Sequence, residues 1–180
     1  MDLVNSYSIV AYLSGPVARF ADVVRRELVP GCPHHAHMTV LPPRPLHGHL
    51  SEAIEFARQL VAQFEPFDVR LGNVEQFPDT QVIYISLDSG VPELTAMYDV
   101  LNTGSLEQEE AHEFVPHITL GRELPPGTFE RSLELSRHRW EEFGPPPPLH
   151  IESLTFVQQR ADESWIDLAE LVLGSVPAVG

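Results

Sequence analysis

One tetrapeptide pattern, His-apolar-Thr-apolar, occurs twice in this chain and constrains its fold more than any other feature. It appears as His37-Met38-Thr39-Val40 and again as His117-Ile118-Thr119-Leu120. Similar flanks accompany both copies. Val29-Pro30 leads into the first, and Leu41-Pro42-Pro43 closes it. Val115-Pro116 leads into the second, and Leu124-Pro125-Pro126 follows. Side chains on a strand alternate between faces. His37 and Thr39 therefore share one face, and Met38 and Val40 the other; the second copy divides in the same way. The apolar pair anchors each strand, and the polar pair faces outward or into a cleft. Each unit precedes a helical pattern, which implies two similar lobes.

The rest of the chain reads as mixed strand and helix. Strands are expected over Ser6–Leu13, Ala36–Leu41, Phe67–Phe77, Gln81–Leu87, Phe114–Gly121, His150–Gln159 and Ser164–Leu173. Helical spacing covers Val17–Leu28, Leu50–Phe64, Val91–Leu101 and Thr128–Phe143. In the first helix Val17, Phe20, Val23, Val24 and Leu28 form the apolar face. Pro42-Pro43 is expected to stop the second strand. Hairpins around Pro78-Asp79-Thr80 and Ala161-Asp162-Glu163 break strict strand–helix alternation. The expected class is therefore α+β, with mainly antiparallel sheet rather than a doubly wound fold. Residues 1–173 are read as one bilobal domain and 174–180 as a flexible tail.

Charge narrows the possible partners. The 180 residues carry 26 acidic and 11 basic side chains, for a net charge of −15, and every basic residue is arginine. Residues 1–90 hold 10 acidic and 6 basic groups, and residues 91–180 hold 16 and 5. No polybasic stripe exists to neutralise the phosphates of a long nucleic acid or an anionic membrane. The single cysteine, Cys32, excludes an internal disulfide. With an acidic N-terminus unlike a signal peptide and no membrane-length apolar run, the expected setting is cytoplasmic and the expected state monomeric.

Two histidines and two threonines suit one kind of chemistry. Histidine titrates near neutrality, so a pair can divide into general base and general acid. Threonine hydroxyls can donate to phosphoryl oxygens. Facing each other, the two pairs would grip one phosphodiester, with the developing charge met by donors already aimed at it and no metal or cofactor required. Which histidine is base and which is acid stays open at the level of sequence.

His37-Met38-Thr39-Val40 and the stretch Phe114-Val115-Pro116-His117-Ile118-Thr119-Leu120-Gly121-Arg122 resemble the motifs of the two-histidine phosphoesterases, the LigT-like or 2'-5' RNA ligase-like superfamily. The resemblance implies a bilobal α+β fold with pseudo-twofold symmetry and one motif per lobe facing a central cleft. It implies action on 2',3'-cyclic or 2'-5' phosphodiesters of nucleotides or short RNA ends. By motif position His37 and His117 are then the acid–base pair, and Thr39 and Thr119 the phosphate donors. Arg122 is either a phosphate partner or a structural residue. Arg44, just past the first motif, is a candidate to offset charge in the cleft. Phe156 is a candidate aromatic wall for a base. The chain departs from RNA-binding relatives in lacking a basic surface, and Glu107, Glu109, Glu110 and Glu113 precede the second motif.

Three alternatives accompany this reading. His34, His35, His37, His112 and His117 could hold zinc, although adjacent His34 and His35 point apart on any regular element and the threonines would go unexplained. The cleft could bind a nucleotide or RNA end without turning it over. The same cleft could also join RNA ends through a 2'-5' linkage, the reverse of hydrolysis.

Overall fold

The computed structural model describes residues 2–175. Residues 176–180 of the expected tail lie outside the described residues; Gly174 donates its backbone N–H to the Phe64 carbonyl at 2.7 Å. The elements run β1 (Leu3–Tyr12), α1 (Gly15–Leu28), β2 (His37–Arg44), α2 (Leu50–Val61), β3 (Phe67–Val69), β4 (Leu71–Phe77), β5 (Val82–Leu87), α3 (Val91–Leu101), a 3-10 turn (Gly104–Leu106), β6 (Ile118–Gly121), α4 (Phe129–Phe143), β7 (Leu149–Ile151), β8 (Ser153–Arg160) and β9 (Trp165–Val172). Seven strands form one sheet in the order β4-β5-β6-β2-β1-β8-β9, and β3 pairs with β7 separately. Every pairing is antiparallel. The fold is α+β, as the sequence implies.

The sheet divides at its middle into two halves. One is β2-β1-β8-β9 and the other is β6-β5-β4, and the motif strand is innermost in each. The halves meet through a single residue pair, Met38 opposite Ile118. Met38, Val40, Ile118 and Leu120 are fully buried in the common core. The apolar half of each motif thus welds the two lobes together, and alternation turns the polar half to the other face.

Local chemistry explains where the elements depart from expectation. β2 runs through Pro42-Pro43 instead of stopping there. It pairs Leu41 with Ile9 and Arg44 with Tyr7, and a bulge absorbs the extra residue. A proline lacks the N–H a ladder needs, so a bulge is where a strand tolerates it. β6 is shorter than the expected Phe114–Gly121 strand because Pro116 has no donor to offer. The segment from Phe67 to Phe77 changes sheets near Arg70, whose carbonyl accepts from Asp88 and Ser89. The His150–Gln159 segment changes near Glu152, whose carbonyl accepts from Leu173.

On α1 the buried stripe is Val17, Ala21, Val24, Arg25 and Leu28, while Val23 is 55% exposed. The helix is therefore rotated from the expected face, and a charged residue lies on its inner side. α1 packs against β6, where Gly121 leaves room: a Cβ there would stand 3.0 Å from a Leu28 methyl. α4 packs on β4, with the Trp140 indole N–H donating to the Gly72 carbonyl at 3.0 Å.

Candidate active site

The polar face of the central seam opens into a cavity of about 830 Å³, lined among others by His37, Thr39, His117 and Thr119. The Met38–Ile118 pair fixes their relation. In that antiparallel register His37 lies opposite Thr119, and Thr39 opposite His117. Opposed positions in an antiparallel pair have Cβ atoms about 5 Å apart. Each histidine therefore faces a threonine from the other half of the chain, a diagonal arrangement that suits a group gripped from two sides.

Both imidazoles are oriented in the same way. His37 Nδ1 lies 2.7 Å from the His35 carbonyl, and His117 Nδ1 lies 2.7 Å from the Val115 carbonyl. A carbonyl only accepts, so Nδ1 carries the hydrogen in each ring. Nε2 then holds a lone pair in the neutral ring and a proton in the charged one, the two states an acid–base pair needs. Burial lowers the pKa of both. His37 falls to about 3, through desolvation first and then the charges of Arg25, His34 and His117, with the His35 carbonyl opposing. His117 is lowered by desolvation, opposed by the Val115 carbonyl.

Aromatic rings back each histidine. The Trp165 ring stands 4.8 Å from His37 and 4.3 Å from His34. Phe77 and Tyr84 stand 5.1 and 5.2 Å from His117 and stack on each other at 4.1 Å. These rings come from matching places: Phe77 and Tyr84 from the β4–β5 hairpin, Trp165 from the β8–β9 hairpin. Tyr84 is the cross-strand partner of Thr119, which puts it on the site face. Among aromatic residues the sequence reading points only to Phe156, whereas Phe77, Tyr98, Phe114 and Trp165 line the cavity and Tyr84 backs His117 from behind Phe77. The signal for Phe77, Tyr84 and Trp165 is position: each lies within four residues of a hairpin turn at the end of the sheet nearest the motifs.

Phe156 does not line the cleft. Val10 joins Thr39 and Thr155 across the strands, so Phe156, one residue further on, faces away. It is fully buried in the core, edge-on to Tyr7 at 6.0 Å. Arg44 also differs from expectation. Its guanidinium is buried and committed to Asn102, to the Leu106 carbonyl at 3.0 Å and to Glu110. These bonds clamp the acidic segment before the second motif onto β2, and leave Arg44 with no part in the cavity wall. Arg122 does line the cavity, at its rim, with a 65% exposed side chain 3.2 Å from Glu123.

Arg25 is the further cavity residue that sequence reading missed. It is 5% exposed and donates to the Thr119 carbonyl at 3.1 Å. Its signal is a charge on the apolar stripe of α1, four residues after Ala21. Among the described residues no group of three or more His, Cys, Asp or Glu side chains is placed to hold a metal ion. None of the described helices is long and apolar enough to cross a membrane.

This arrangement has relatives. A family model described as the 2'-5' RNA ligase superfamily matches residues 15–163. A protein of Oceanobacillus iheyensis named "Putative phosphoesterase" is 30% identical over 126 residues, covering 69% of this chain and 71% of its own. A Bacillus mycoides protein of the same description is 29% identical over 139 residues, covering 74% and 78%. A crystal structure of a Thermus thermophilus protein superposes with a TM-score of 0.65 at 18% identity, over 94% of this chain and 98% of that one. Escherichia coli LigT complexed with 3'-AMP superposes at 0.61 with 15% identity, over 94% and 98%. The family match spans both motifs and most of the sheet, so the chain belongs to the 2'-5' RNA ligase superfamily, the two-histidine phosphoesterases.

Proposed function

We propose that this protein is a metal-independent phosphodiesterase acting on 2',3'-cyclic or 2'-5' phosphodiesters of small nucleotides or short RNA ends. The observation that carries the reading is the seam between β2 and β6. It sets two histidines with the same Nδ1 tether diagonally across one cavity, each opposite a threonine. The cavity is of nucleotide size. LigT, a structural neighbour, has been solved with 3'-AMP, with ATP and with NADP+, which supports a small nucleotide as the occupant.

The reaction follows from the groups present. One histidine takes a proton from water through Nε2 as the water oxygen bonds to phosphorus. The bond from phosphorus to the leaving ribose oxygen breaks, and the second histidine gives its Nε2 proton to that oxygen. A cyclic diester gains one water and becomes a monoester, and the two rings exchange protons with solvent to reset. Thr39 and Thr119 donate to the non-bridging oxygens, and Arg122 stands at the entrance. Excess water favours hydrolysis over joining. The protein acts as a monomer in the cytoplasm.

The test is a screen of 2',3'-cyclic nucleotides, 2'-5' dinucleotides and cyclic ADP-ribose phosphates, with and without a chelator. Turnover unaffected by chelation is expected. Stoichiometric zinc with activity lost on chelation would overturn metal independence. Nucleotide binding with no turnover of any member would make the protein a binding module.

A further inference from the structure

Arg25 is an unusual residue to find beneath this cleft. Its side chain is buried on the inner stripe of α1, yet among the described residues no carboxylate pairs with it. It has the Thr119 carbonyl at 3.1 Å and the Cys32 thiol at 3.7 Å instead. A buried charge without a counterion is costly and needs a compensating role. Thr119 is the residue that lies opposite His37, so Arg25 is tied to the strand position directly across from that ring. His117 has different neighbours, the Phe77 and Tyr84 rings, and it is only half-buried where His37 is 7% exposed.

We propose that Arg25 is a positioning residue that divides the two histidines: its unpaired charge beside His37 keeps that ring neutral, as the general base, and leaves His117 to carry the proton, as the general acid.

The other charged groups around the site do not reverse this bias. His34 and His117 also act against a proton on His37, and Arg122 acts on His34. Asp22 accepts from the Ala36 backbone N–H at 2.7 Å, with the exposed His35 ring 3.9 Å away. Among the cavity carboxylates, Glu110 is held by Arg44 and Glu123 by Arg122. Asp79 and Glu163 stand on the hairpin turns, and Glu113 in the loop before the second motif. Glu75 lies beyond Tyr84, accepting from its hydroxyl at 3.3 Å. An anionic diester entering the cleft raises the proton affinity of both rings. His117 then protonates first, because it is the less buried ring and the Arg25 charge acts on His37. Water loses its proton to His37 Nε2 as its oxygen bonds to phosphorus, and the departing ribose oxygen takes the proton from His117 Nε2.

This assignment rests on the proposed phosphodiesterase reading for its catalytic meaning, but its test does not. Imidazole NMR titration of the free protein reads both rings without substrate. The expected result is a His37 midpoint more than one pH unit below that of His117. In Arg25→Gln the His37 midpoint is expected to rise by about one unit while that of His117 holds, the size expected on removing one nearby charge. The acid limb of kcat/KM should move to higher pH with it, and Arg25→Lys should restore both. The reverse order of midpoints in the wild-type protein would overturn the proposal. So would an unmoved His37 in folded Arg25→Gln, even with activity lost evenly across pH, which would mark a purely structural arginine. If Arg25→Gln does not fold, Arg25→Met is read in its place, because the burial of His37 also favours the same wild-type order. A His37 midpoint that rises in the Arg25 variant, with no turnover of any phosphodiester by the wild-type protein, would uphold the bias set by Arg25 and remove the functional reading instead.

Discussion

Each motif histidine has its tautomer set by the backbone carbonyl two residues earlier, and each motif threonine has the other half's histidine as its cross-strand neighbour. This makes the threonines separable from the histidines in the proposed mechanism. Thr39→Val and Thr119→Val keep the shape of the side chain and remove only the hydroxyl. Each is expected to lower kcat by about 100-fold, the usual cost of losing one donor to a charged oxygen. The limbs of the pH profile should stay in place, because no titrating group has changed. The histidines also link stability to pH. His37 and His34 have folded pKa values of about 3 and about 4, against 6.5 unfolded. Below 6.5 the unfolded chain therefore binds protons that the folded chain refuses. Stability is full above that value and falls as pH drops towards 3. Denaturant melts between pH 7.5 and 4 should show the decline, and His37→Gln should flatten it. The four motif residues could be read from sequence because their spacing places them on one strand face. Arg25 and Trp165 could not, because a helix's rotation and a hairpin's reach are set by packing between elements distant in the chain.

The elements around the site have separate tasks. β2 and β6 bring the motifs together through one residue pair, and the two hairpins supply aromatic walls. The acidic segment before the second motif is pinned to β2 by Arg44 through Asn102, Leu106 and Glu110. Arg44→Met is expected to cost about 2 kcal/mol, the scale of a charged hydrogen bond left unmade, with Glu110 partly open to solvent. Hydrogen exchange should show residues 103–116 opening, while the core strands stay protected. Thus Arg44 matters to the site through the loop it holds rather than through a ligand. The order of helices and strands was legible because periodicity and proline placement are local. The sheet changes near Arg70 and Glu152 were not, since they depend on which strand comes alongside. Neither was the burial of Phe156, which follows from a register that only cross-strand pairing fixes.

At the scale of the whole molecule, the net charge of −15 and the cleft work together. Asp79, Glu113 and Glu163 ring a cavity whose cations are Arg25 beneath and Arg122 at the rim. On the proposed function a single diester would meet the cations and the histidines, whereas a long polyanion would have to cross the acidic ring at many points. Mononucleotide and dinucleotide substrates are expected to outcompete long RNA, with kcat/KM varying only weakly with salt. A strong preference for long RNA and a steep salt slope would contradict this. The bilobal architecture was legible in the repeated motif, because a duplicated strand unit implies a duplicated environment. The joining of both lobes in one seven-stranded sheet was not, since it rests on the single Met38–Ile118 pair.

The most direct test of the paired histidines is the rate of His37→Ala and His117→Ala on whichever phosphodiester the screen identifies. Circular dichroism and melting should confirm that each variant is folded. Each substitution should lower kcat by at least about 100-fold. Wild-type rates in both folded variants would contradict acid–base catalysis by this pair.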